Sequence, residues 1–137
     1  MASQEKINTD KKTVKMEDIK VKLSTLWVCV MFIMVFADIL SFIRPGTFEE
    51  IGEQQITDGL LLVFAVMIVI PIAMIFLSRV LKNRANRWVN IIAAAITILW
   101  VIGGGSTYPH YIFFATIEVV CMLLIVRYAW KLPKQEA

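Results

Sequence analysis

Between Leu60 and Leu77 the chain reads LLLVFAVMIVIPIAMIFL, with no charged or strongly polar side chain. Lipid offers no partner for unpaired backbone groups, so such a segment must close its hydrogen bonds on itself as a helix. Crossing the hydrocarbon core takes about 20 residues in that form, with a range of about 17–25. Three further blocks meet the requirement. Residues 23–43, 60–81, 88–105 and 111–130 together predict an all-α, polytopic membrane protein built as a four-transmembrane-helix bundle. At 137 residues the chain allows one compact domain, and its 58% hydrophobic content exceeds the soluble norm of about 45–50%.

The first block has a lysine-rich lead, as a secretory leader would. It is too long for one and lacks an A-x-A site before the next loop, so it reads as a retained helix. Orientation follows from lysine and arginine. Lys6, Lys11, Lys12, Lys15, Lys20 and Lys22 precede the first helix, and Arg79, Lys82, Arg84 and Arg87 join the second to the third. Arg127, Lys131 and Lys134 close the chain, while Arg44 stands alone on the other side, among Glu49, Glu50, Glu53 and Asp58. Both termini are expected to be cytoplasmic, with the protein multi-pass in the cell membrane. Trp27, Trp88, Tyr128 and Trp130 fall near the predicted inner interface, and Tyr108 and Tyr111 near the outer one, where amphipathic rings are favoured.

Residues 1–15 read as a disordered polar extension, and 16–137 as the transmembrane domain. Met16–Leu23 is expected as a short helical lead-in at the surface. Arg44-Pro45-Gly46 predicts a turn that ends the first helix, followed by an acidic loop to about Gly59. Gly103–Pro109 reads as a flexible outer connection. Its glycines lack the spacing of a phosphate-binding loop. Pro71 should kink the second helix.

Cys29 and Cys121 lie in apolar runs without metal-ligand spacing and read as small buried hydrophobes. His110 reads as a lone loop residue. No catalytic constellation is present, so neither an enzyme nor a cofactor is expected. The basic balance is accounted for by orientation, which leaves no case for nucleic-acid binding. The expected partners are the lipid bilayer and a homo-oligomer or another membrane protein.

Two acids interrupt the spans. Asp38 lies in FADILSF of the first helix and Glu118 in FFATIEVVCMLL of the fourth. Helical rise puts Asp38 roughly 8 Å and Glu118 roughly 10 Å below the same outer interface, reached from opposite chain directions. A central Asp costs about 2.5–3.5 kcal/mol to insert, and each Leu, Ile, Val or Phe of the same helix returns about 0.3–0.6, so insertion still wins. The carboxylates should face the bundle or a wet cavity. A small and polar stripe on the third helix, Asn90, Ala94, Thr97, Val101 and Gly104, is expected to face inward. Arg44 is an alternative partner for Asp38, and no second buried cation is expected. The candidate polar pocket is therefore Asp38, Glu118, Ser41, Tyr111, Asn90 and Thr97. Two acids sharing it could hold or exchange a proton. The competing reading is that tyrosine, threonine, asparagine or backbone groups satisfy both acids, which then only lock the bundle.

The segments MEDIKVKLSTLW, FADILSF, AMIFLSRVLKNRANRWVNII, HYIFFATIEV and YAW together resemble a family of small prokaryotic four-helix membrane proteins known only as a domain of unknown function. The resemblance runs from about Met16 to Pro133 and implies the four-span architecture without an activity. The functional expectation is a membrane protein that binds or moves a proton, cation or small amine. The alternative is a structural or partner-binding membrane subunit.

Overall fold

The computed structural model describes residues 2–104 and 108–132. These form five helices: α1 (Ala2–Ile43), α2 (Thr47–Glu53), α3 (Asp58–Val80), α4 (Asn83–Gly103) and α5 (Pro109–Trp130). No strand occurs among the described residues. The helices α1, α3, α4 and α5 each have the length and apolar composition of a membrane span.

The spanning helices run alternately up and down. Around the bundle α1 packs between α3 and α5, α4 packs on α5, and α3 and α4 touch least. Both ends of the described chain lie at one end, here the basic end, where Asn83 donates to the Met16 sulfur and Leu132 is buried. Much apolar surface stays outside, including Phe32, Leu62, Phe76, Leu99 and Phe113. In water such a surface would drive aggregation, and in lipid it is solvated.

The extension expected to be disordered is helical from residue 2 and continuous with the first span. Lys, Glu and Gln are good helix formers, and adding turns to an existing helix avoids the cost of nucleation. Side chains from Ser3 to Lys15 are all exposed, so this part gains nothing from packing. The lead-in expected at the surface instead continues α1 against the bundle, with Ile19 buried.

The acidic loop also contains structure that the sequence reading left out. Arg44–Thr47 is a turn closed by Thr47 N–H donating to the Arg44 carbonyl at 3.3 Å. Gly46 sits at φ 87°, which a side chain would oppose. The turn leads into α2, whose first turn holds Glu49 and Glu50, where the helix dipole favours acids. The Thr47 hydroxyl donates to the Ser41 carbonyl at 2.7 Å and ties α2 to the end of α1.

Helix α3 starts at the Thr57 side chain, which accepts from Leu60 N–H at 3.1 Å. It runs unbroken through buried Pro71. The α3–α4 connection is tighter than expected, and α4 begins at Asn83 instead of near residue 88. Asn86 makes this turn work by donating to the Ser78 carbonyl at 2.8 Å, a group that the end of α3 leaves without a helical partner. Residues 105–107 of the expected glycine-rich connection, and Lys134, lie outside the described residues.

The core is concentrated toward the basic end, where Leu23, Trp27, Val30, Met74, Met122 and Ile125 meet. Ala93 and Ala94 are buried there too, and their small side chains leave room for the Trp27 indole. Trp27 is thus a fully buried core residue and not the interfacial anchor expected from its position, whereas Trp88 and Trp130 are exposed as a belt requires. Cys29 is exposed and Cys121 half-buried, both as free thiols, so the buried-hydrophobe expectation does not describe Cys29.

Candidate functional site

Two polar assemblies occupy different levels of the bundle. Asn90 is the hub of the first. Its side-chain oxygen accepts from the Trp27 indole at 2.7 Å and from the Ser78 hydroxyl at 3.1 Å. Its amide donates to the Asn86 carbonyl at 2.8 Å and to the Asn86 side-chain oxygen. The bond from Trp27 crosses the bundle, since α1 and α4 are diagonal neighbours. Asn86, Asn90 and Ser78 are fully buried. Every member has a partner, so this assembly specifies the packing and leaves nothing free for a ligand. Asn90 therefore belongs to this lock and not to the acid pocket.

The same end buries Arg87, at 4% exposure, with its guanidinium 3.8 Å from the centre of the Trp130 ring. A buried cation was not expected beside the acids, and Arg87 is not beside them. It precedes Val101 by fourteen residues, about 21 Å of helical rise.

The second assembly lies toward the far end. A cavity of about 310 Å³ is lined by Met34, Ala37, Asp38 and Phe42 of α1, Phe64 and Ile68 of α3, Trp100 and Val101 of α4, and Tyr111 and Glu118 of α5. All four spanning helices contribute, and both acids reach the same space. The levels expected from helical rise therefore coincide. Glu118 is only 5% exposed and forms the deep part of the lining, while Asp38 is exposed and marks the open side.

The groups that were expected to satisfy the acids are engaged elsewhere. The Tyr111 hydroxyl donates to the Val101 carbonyl at 3.0 Å. Thr97 donates to the Ala93 carbonyl at 2.8 Å, and Thr116 to the Ile112 carbonyl at 2.7 Å. Arg44 pairs with Glu50 at 2.6 Å and lies 3.9 Å from the centre of the Tyr108 ring, so it does not serve Asp38. One oxygen of Glu118, Oε1, is buried with no hydrogen-bond partner. Among the described residues neither acid has an ion-pair partner.

Of the six residues expected to form the pocket, Asp38, Glu118 and Tyr111 line it. Ser41 lies nearby on α1, donates to the Ala37 carbonyl at 2.9 Å and sits 3.3 Å from His110 Nε2. His110, expected to be solvated or interfacial, is half-buried against α1 in the first turn of α5. Thr97 is buried on the stripe one turn below the pocket wall. The stripe itself faces inward at Asn90, Ala94, Thr97 and Val101 but not at Gly104, which is exposed.

Sequence reasoning passed over Phe42 and Phe64, whereas Trp100, in the outer half of its helix, was expected to face a neighbour and does. Phe64 and Trp100 meet edge to face with centroids 5.5 Å apart, across the gap where α3 and α4 otherwise touch least. Nothing in the apolar run of α3 distinguished Phe64 from its neighbours. Asn86 could have been found, because Asn83, Asn86 and Asn90 repeat at spacings of three and four on one helix face.

No curated protein and no solved structure matches the chain. A family does match, over residues 12–137, four residues before the Met16 start expected from the resemblance. Four spans, the Asn90 lock and the two-acid pocket all fall inside that stretch, and the chain belongs to the Family of unknown function (DUF6326).

Proposed function

We propose that this protein is a multi-pass cell-membrane protein that binds or moves a proton, cation or small amine at the Asp38–Glu118 pocket. The supporting observation is that Glu118 is buried in a cavity shared with Asp38, and its Oε1 has no protein partner. A purely structural acid would be expected to have its oxygens satisfied, because an unmet buried group costs about 1–3 kcal/mol. Intramembrane acids that face the bundle interior commonly mark an ion or substrate path.

The proposed orientation places the basic end and both termini in the cytoplasm, since thirteen of the fourteen lysines and arginines fall on that side. The pocket then lies in the outer half of the bundle. In whole cells, single cysteines at Lys82 and Gln55, introduced after Cys29 and Cys121 are replaced by serine, should differ in labelling. A membrane-impermeant maleimide should modify the Gln55 site and spare the Lys82 site. Labelling of the Lys82 site alone would reverse the orientation.

Flux and binding assays in proteoliposomes test the pocket itself. Asp38→Asn and Glu118→Gln are each expected to remove most of the proton or cation flux, or of ligand binding. Activity unchanged in both variants would end the proposal. The alternative of a partner-binding subunit would have to use the exposed apolar faces, because the stripe on α4 is largely consumed inside the bundle.

A further inference from the structure

Every spanning helix places an aromatic ring in the acid pocket: Phe42 from α1, Phe64 from α3, Trp100 from α4 and Tyr111 from α5. We propose that the pocket selects a hydrophobic organic ammonium ion over inorganic cations, with Trp100 and Phe64 setting that preference. This rests on the reading of Asp38 and Glu118 as a cation-binding pair and names the class of cation.

An inorganic ion needs more oxygen ligands than this pocket supplies. Hard divalent cations require about six or more oxygen ligands in place of water. The pocket's side chains offer two carboxylates and one tyrosine hydroxyl, fewer oxygens than such an ion needs. Among the described residues no group of three His, Cys, Asp or Glu side chains could hold a metal ion. An organic ammonium asks for something different. Its charge is spread and weakly hydrated, its body is apolar, and it is attracted to the faces of aromatic rings, most strongly to tryptophan.

Size and placement agree. A volume of about 310 Å³ admits a small organic molecule, at the low end of the ~300–1,000 Å³ usual for such pockets. The buried Glu118 supplies negative charge at the deep end, and Asp38 does so at the open side. Trp100 is held by Phe64 in an edge contact at 73°, which fixes the angle of its ring before any ligand arrives. A preset aromatic wall beside unpaired carboxylates recognises charge and apolar bulk together.

Equilibrium binding of benzyltrimethylammonium to the full chain in lipid nanodiscs tests this, with sodium and magnesium as competitors. The expected result is saturable binding that neither inorganic ion displaces at equal concentration. Trp100→Leu should weaken binding by about 5- to 30-fold, the size of a desolvated cation–π contact. Trp100→Tyr should retain most of the affinity, which keeps the question answerable if the leucine variant does not fold. Binding that is unchanged in folded Trp100→Leu and Phe64→Leu would overturn the inference, as would displacement by sodium or magnesium at equal concentration. If benzyltrimethylammonium does not bind while Glu118→Gln still abolishes proton or sodium flux, the inference falls and the reading of the pocket stands. If Glu118→Gln also leaves flux unchanged, both fall.

Discussion

Asn90→Ala is expected to lower stability by about 1–3 kcal/mol, measured by reversible unfolding in mixed micelles. The change deletes the acceptor for Trp27 and Ser78 and the donor to Asn86. Two of these bonds, from Trp27 and Ser78, are interhelical; such bonds in membrane proteins average about 0.6 kcal/mol each and reach about 1.7, so the pair gives that range. The loss should not be local. Trp27 belongs to α1, Ser78 to α3 and Asn90 to α4, so one side chain joins three of the four spans. Trp27→Phe removes only one of these bonds and keeps most of the ring volume. It should therefore cost well under half as much. Equal losses for the two variants would show that packing around the indole, and not the amide hub, holds this end together.

The architecture was legible because the constraint behind it is severe. A run such as 60–77 has one stable backbone form in lipid, and four runs leave little choice of fold. The matching levels of Asp38 and Glu118 were also legible, since helical rise is fixed and the chain reverses direction three times between them. Membership of the pocket was read less well, although the same rise separates the levels. Asn90, Thr97 and Val101 share a helix face, and that face was assigned inward. Asn90 nevertheless lies eleven residues from Val101, about 16 Å along the axis, at a different level of the bundle. Trp27 shows a second limit. An indole near the end of a span suits a headgroup interface or a core equally, and only a buried acceptor such as Asn90 decides. The Ser3–Lys15 extension shows a third. Its polar composition predicted disorder, but helix continuity from the adjoining span was not visible in composition.

Two kinds of buried polar side chain differ here. The residues hydrogen-bonded around Asn90 hold the fold, whereas Glu118 Oε1 has no protein partner, which the proposed ligand site would account for. The two kinds should respond oppositely to replacement by an apolar side chain of similar size. Glu118→Met removes a buried oxygen that has no partner, at a position where its neighbours have already committed their own hydrogen bonds. It should therefore stabilise the bundle by about 1–3 kcal/mol while abolishing binding or flux, a trade of function for stability common at active positions. The direct test is the unfolding free energy of Glu118→Met against the parent chain in the same mixed micelles. A gain in stability accompanied by loss of cation binding is the predicted result. A fall of more than about 1 kcal/mol would mean that Glu118 is part of the structural lock, and would contradict its assignment to a ligand site.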